Sequence, residues 1–386
     1  MKPQLKLSLI TFGILMTSTL FAQIPRSGNQ AAVQSNKPVI AAGSLTQVID
    51  RTPEATAAAQ ALKDAGKTLA QAVCELKNNA FYNAENVLKA TATVFGSTEA
   101  VIIINMKGCW TPEQVAKGLQ AAYNYSIGDV IVKLRTAGYS AQQTFDLLFR
   151  AYNLGLDQCA VNLKNAGYNA TLIMQAIFST QMYTAIEIGN SLKIAGFAIN
   201  EIAVAYKNGL NLAGDLVAKS LKGLGYTAIQ IGGALRSTYN QSFETIAGWL
   251  KGAGYGKNTL VEMGVNVFNV SSELAAKTLQ NLGYTTAEIA DALMKGMQAT
   301  VKDVVIALNK LNIGPEAITN ALKLAGADGN KTGKALKDVL GKSANDVAAL
   351  MNKAGYGASI IASALSDAFG IANDVVQGIL NALGIR

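Results

Sequence analysis

Histidine is absent from the 386 residues. This excludes Ser-His-Asp and Cys-His nucleophilic sites and histidine-ligated zinc. Charged residues are sparse at 15%, while half of the chain is hydrophobic, too large a share for a disordered protein. Only one window approaches the ~18 apolar residues that a membrane helix needs, and it lies at the N-terminus. Cysteine is limited to Cys74, Cys109 and Cys159, an odd number from which at most one internal disulfide can form. A chain this long can bury a core without covalent staples, so the cysteines are expected to be mostly structural.

Residues 1–22 combine Lys2 and Lys6 with an apolar run from Leu7 to Phe21, the pattern of a secretory signal peptide. Cleavage is expected between Ala22 and Gln23; an uncleaved N-terminal anchor is the alternative. Loss of the two lysines would lower the formal net charge from +8 to +6, too modest to imply nucleic acid. Residues 23–44, polar and small with Pro25 and Pro38, read as a flexible linker.

A 29-residue period follows. Tyr139, Tyr168, Phe197, Tyr226, Tyr255 and Tyr284 are each one period apart. Trp110 and Phe81 precede them in phase, and Ile313 follows. With this aromatic as position zero, Pro53, Pro112 and Pro315 fall at position two, each followed by Glu. Proline is tolerated in a first helical turn, and an acid suits the positive end of the helix dipole. Thr52, Thr111, Ser140, Asn169, Thr227 and Thr285 stand just before as N-caps. Apolar residues at positions five, nine and thirteen share one helix face. A second helix is expected after Ser97, Ser126, Thr184, Ser242, Ser271, Thr300 and Ser343 at position sixteen. Several of these have an acid three residues on, as in a capping box. Gly138, Gly167, Gly196, Gly225, Gly254, Gly283, Gly355 and Gly384 close it.

Helices of ~10–12 residues are marginal alone, and a lone hairpin cannot bury its apolar face. The expected fold is therefore all-α: a right-handed-type α-solenoid of about eleven two-helix repeats over 45–326, continuing through 327–386. The phase breaks between Ile313 and Tyr356, where Leu322–Gly326 repeats the unit-ending phrase early. One helix is expected to be missing there, with a kink after it.

These units resemble the helical-hairpin solenoids, such as TPR and HEAT arrays, although the 34-residue period and Trp-Leu-Gly pattern of TPR are missing. They also look like the Gly-Tyr-Ser/Thr-Ala helical repeats of bacterial exported proteins. The resemblance covers about residues 45–386 and implies neither catalytic residues nor a defined partner.

Three features stand out as candidate sites. Arg135, Lys164, Lys193, Lys222 and Lys251 form a basic ladder at position twenty-five. It reads either as a track for an anionic polymer or lipid, or as cations complementing helix C-termini. Val375, Val376, Ile379, Leu380 and Leu383 give the last helix an apolar stripe, a candidate docking end for a partner or a second copy. Cys109 replaces a helix-ending Gly beside Trp110, making it a candidate exposed thiol; Cys74 and Cys159 fall at core positions. Gly326–Lys334 reads as a turn, since no strand precedes it and Ala335 stands where a phosphate loop needs Ser/Thr. The Asn-x-Ser/Thr triplets beginning at Asn124, Asn169, Asn240 and Asn269 are accounted for by turns and caps. No carboxylate pair departs from the repeat.

The expectation is an exported, non-catalytic scaffold (periplasmic, cell-surface or secreted) without cofactor or metal, whose partner is a protein or envelope component. The alternatives are a binder of anionic lipid or polysaccharide acting through the ladder, and a self-assembling filament.

Overall fold

The computed structural model describes residues 49–385. The signal segment, the linker and the first residues expected in the solenoid lie outside them. Among the described residues there are 23 α-helices and no strand.

Pro112–Tyr123 shows how the first helix of a pair forms. Thr111 accepts the Gln114 backbone N–H at 3.2 Å, and the Gln114 side chain accepts the Thr111 N–H at 3.0 Å. This reciprocal box satisfies two donors that the helix leaves open. Val115, Ala116 and Leu119 are buried, and Asn124 at φ 56° ends the helix. Ile127–Thr136 follows, boxed by Ser126 and Asp129, burying Val130, Ile131 and Leu134 and closing at Gly138, φ 81°. All eight expected closing glycines have positive φ. Two caps differ from expectation. Thr52 is the first residue of its helix and donates its N–H to Asp50. Thr98, one residue after Ser97, precedes Glu99–Met106.

Packing runs between neighbours. Most helices lie against the next in sequence and against the one after it, many of them more extensively against the latter. Thr52–Asp64 packs on Ala84–Phe95, which packs on Pro112–Tyr123; Leu69–Lys77 packs on Glu99–Met106. Two rows result, of first helices and of second helices. Some approaches leave no room for a Cβ: one built at Gly118 would stand 2.5 Å from that of Ala84. Tyr206, fully buried, places its hydroxyl over Gly189 and donates to the Ala185 carbonyl at 3.0 Å.

At the phase break a single helix, Pro315–Leu324, stands where a pair would, so one helix is missing as expected. Pro315–Leu324 begins as a first helix does and ends as a second helix does, at Gly326 with φ 78°. It packs on Thr286–Gly296 and on Ala344–Lys353, so the alternation of neighbours is unbroken. The row of first helices therefore continues into second helices. Correspondingly, Val301–Lys310 packs on Gly329–Leu340, which packs closely on Ala358–Phe369. The rows exchange type. Gly326–Lys334 is also more than a turn: the helix starts at Gly329, with Asp328 accepting the Lys331 N–H at 2.9 Å. One continuous set of buried apolar residues runs from Ala55 to Ala335 and a second from Leu336 to Ile385.

Candidate functional site

The basic ladder is tied to the protein itself. Lys164 donates to the Ala195 carbonyl at 2.9 Å, Lys193 to Leu224 at 2.6 Å and Lys222 to Ala253 at 2.7 Å; Lys251 donates to Leu282. These carbonyls lie at the C-terminal end of the next second helix, where backbone acceptors are open and the dipole is negative. The same ammonium groups stand over the next position-zero rings: Lys164 over Phe197 at 4.8 Å, Lys193 over Tyr226 at 4.8 Å, Lys222 over Tyr255 at 4.7 Å and Lys251 over Tyr284 at 4.9 Å. Arg135 lies over Tyr168 at 5.5 Å. Each of the four lysines complements the neighbouring hairpin's helix rather than its own.

A second set of ties, between first helices, is absent from the sequence reading. Lys63 donates to Val94 and stands over Phe95, and Lys207 pairs likewise with Thr238 and Tyr239. Arg236 does the same with Val267 and Phe268, and Lys337 with Ala368 and Phe369. The signal that could have revealed it is a cation 32 residues before an aromatic. Cation–ring pairs ordinarily occur about once per 70–80 residues and contribute roughly 0.5–2 kcal/mol. Their recurrence here at a fixed offset marks them as part of the repeat. The rings are bound in turn: the Tyr168 hydroxyl donates to the Tyr139 carbonyl at 2.6 Å and Tyr255 to Tyr226 at 2.8 Å. Burial pushes the Tyr139 hydroxyl up to about 12.

Cys109 is not a free thiol. It is bonded to Cys74, joining the second helix of the first hairpin to the turn before Trp110. Lys77 donates to the Cys109 carbonyl, and the Trp110 indole N–H donates to Val73 at 3.0 Å, so the stretch is held on several sides. Cys159 is the free cysteine, fully buried, its thiol pushed up to about 12 by burial. At the C-terminal end, Val376 and Leu380 are core, Ile379 is half-buried, and only Val375 and Leu383 of the candidate docking residues are exposed.

A groove of about 630 Å³ crosses three second helices: Leu156–Asn165, Ala185–Ile194 and Gly214–Gly223. Leu156, Tyr183, Ile186 and Leu224 supply apolar surface beside Asp157, Glu187 and Asn190. Asp157 accepts a hydrogen bond from Ser191. Glu187 accepts from the Thr184 backbone and hydroxyl, which lowers its pKa, so this carboxylate is held as an anion and is unsuited to general-acid work. The hairpin formed by Ala170–Phe178 and Ala185–Ile194 also exposes Leu172, Phe178, Met182, Ile186 and Ile194. Among the described residues, no cluster of Cys, Asp or Glu could hold a metal ion, and no helix is long and apolar enough to cross a membrane. No protein-family model and no curated protein matches the chain.

Proposed function

We propose that the protein is an exported, non-catalytic scaffold: a right-handed solenoid of about eleven helical hairpins that binds a protein partner on the surface of residues 155–224. The observation that carries this reading is the presence of five exposed apolar side chains on one hairpin, with Ile186 lining the groove of about 630 Å³. Exposed apolar residues scattered singly need no explanation, whereas a grouped set rimmed by polar residues is what a partner surface presents. The ladder supports the same reading in a different way. Its cations and rings join hairpin to hairpin, leaving little of that row for an anionic track. The Cys74–Cys109 disulfide agrees with export, since disulfides persist in oxidising compartments.

The test is capture from the envelope fraction of the source cells by the full chain and by two variants. Met182→Asp/Ile186→Asp is expected to lose the captured protein, and Leu274→Asp, an exposed apolar site on another hairpin, is expected to retain it. Equal capture by all three refutes the assignment of this face.

A further inference from the structure

Most cations of the described residues have internal partners. Beyond those of the two ladders, Lys89, Lys117, Lys133, Lys257, Lys295, Lys310 and Lys353 pair with carboxylates. The ammonium groups of six lysines have no hydrogen bond, ion pair or ring contact among the described residues: Lys219, Lys277, Lys302, Lys331, Lys334 and Lys342. Four of the six fall at the exchange of rows. Three of those, Lys302, Lys331 and Lys334, line one groove of about 230 Å³, with Thr300, Val301, Ala335 and Asp338 completing it.

Their placement runs against the local rules that the rest of the chain obeys. Lys331 is the third residue of Gly329–Leu340. The corresponding position carries Gln114, Gln143, Glu201, Gln230 and Glu288 in other hairpins, where each side chain accepts the N-cap N–H. Lys302 is the second residue of Val301–Lys310. A cation in a first turn opposes the helix dipole; Asp303 stands beside Lys302 and Asp328 caps the helix of Lys331, yet each carboxylate is taken up by the cap and neither forms an ion pair with the lysine. Lys257 also begins a helix, but Asp291 pairs with it at 2.8 Å. Lys334 lies five residues after the start of its helix, where Lys117 of another hairpin is paired with Glu113 and Lys334 is not. Three lysines gathered without an ion pair, where the repeat changes phase, mark a site built for something outside the chain.

We propose that this groove binds a phosphate monoester through the ammonium groups of Lys302, Lys331 and Lys334. Three ammonium groups against the single carboxylate of Asp338 leave a formal surplus of two positive charges. A phosphate monoester, with about −1.5 to −2 at neutral pH, neutralises that surplus, and a lone carboxylate does not. Lysine suits this role because it binds phosphate as a compact point charge with rotatable donors. The monoester can belong to a soluble metabolite or to a lipid headgroup, and the groove is open to both. This assignment does not rest on the scaffold reading, since the groove lies on different helices from residues 155–224.

The test titrates the full chain with glycerol phosphate, and separately with phosphatidylcholine vesicles containing or lacking phosphatidic acid. Binding is expected in at least one arm, weakened by added salt. The arm that responds identifies the source. Lys302→Gln/Lys331→Gln/Lys334→Gln is expected to weaken it at least about tenfold, in line with the contribution of single lysines at a phosphate surface. Lys219→Gln/Lys277→Gln is expected to bind as the natural chain does. All five substituted side chains are exposed, and unchanged circular-dichroism melts verify folding. Binding in neither arm, undiminished binding by the triple variant, or equal loss in the Lys219/Lys277 variant overturns the proposal.

Discussion

The same residue type has opposite fates in this chain depending on what surrounds it. Cys159, fully buried with a thiol pushed up to about 12, is almost entirely protonated at neutral pH and closed to reagents. Cys74 and Cys109 are joined across 35 residues of sequence. Thiol titration of the native protein is therefore expected to find no reactive group, and titration after denaturation without reductant is expected to find one. Three thiols on denaturation would mean that the disulfide does not form. Cys109→Ser is expected to cost about 3–4 kcal/mol by the chain-entropy account of a loop this long, read from the urea midpoint. Glycine shows a similar dependence. Gly118 has helical φ, yet a Cβ there would meet Ala84 Cβ at 2.5 Å and the backbone at 2.9 Å. Rigid backbone cannot move aside, so Gly118→Ala is expected to destabilise by about 1–3 kcal/mol, although alanine is the better helix former. Gly233, with nothing within 4 Å, is the control and is expected to gain stability on the same substitution.

At the scale of the helix, the capping boxes were legible in the sequence because they are local. A Ser or Thr, its partner three residues on and an apolar spacing of four are all visible within one turn or two. Ser126, Thr184, Thr300 and Ser343, readable from that spacing, are N-caps in the structure. The ties were less legible for the opposite reason. Lys193 looks like a last-turn cation complementing its own helix, and the carbonyl it reaches lies 31 residues on. Nothing near Lys193 in sequence says so. The Cys74–Cys109 pair hides in the same way. The break near residue 313 was visible as a change of phase, but its consequence depends on which helices touch, and that is fixed by packing. Of the candidate surface, Ile186 and Leu172 read as ordinary apolar helix residues until exposure separates them from the core. The boxes also set an acid limit. The Glu187 and Glu288 carboxylates are lowered first by backbone hydrogen bonds from Thr184 and Thr285, and Asp346 first by the Ser343 hydroxyl. A carboxyl with a depressed folded-state pKa contributes stability above its unfolded pKa and loses it as pH falls through the folded one. The melting temperature is accordingly expected to hold from neutral pH to about 5 and to fall below roughly pH 4. A rise through that window would contradict the assignment.

At the scale of the whole molecule, short helices that are marginal alone gain their stability from neighbours, and in the solenoid proposed above cooperativity passes through each interface in turn. The interface between the hairpin Ile199–Gly223 and the hairpin Ala228–Gly252 is crossed by a tie on each row. Lys207 reaches Thr238 and Tyr239, and Lys222 reaches Ala253 and Tyr255. Lys207→Met/Lys222→Met removes both cations while keeping most of the side-chain bulk. With each cation–ring pair contributing about 0.5–2 kcal/mol, the loss at this one interface is roughly 1–4 kcal/mol. In a nearest-neighbour array such a loss weakens coupling between the flanking segments as well as total stability. The two tryptophans lie on opposite sides, Trp110 before the interface and Trp249 after it. Urea unfolding followed by Trp110 alone (with Trp249→Phe) and by Trp249 alone (with Trp110→Phe) is expected to coincide in the natural background. In the double-methionine variant the two curves are expected to separate. Lys164→Met/Lys251→Met removes the same number of ties from two different interfaces, leaving the other-row packing at each. It is expected to lower both midpoints together. Coincident curves in both variants would mean that the ties contribute to stability without transmitting it, and that hairpin coupling resides in the apolar packing between the rows.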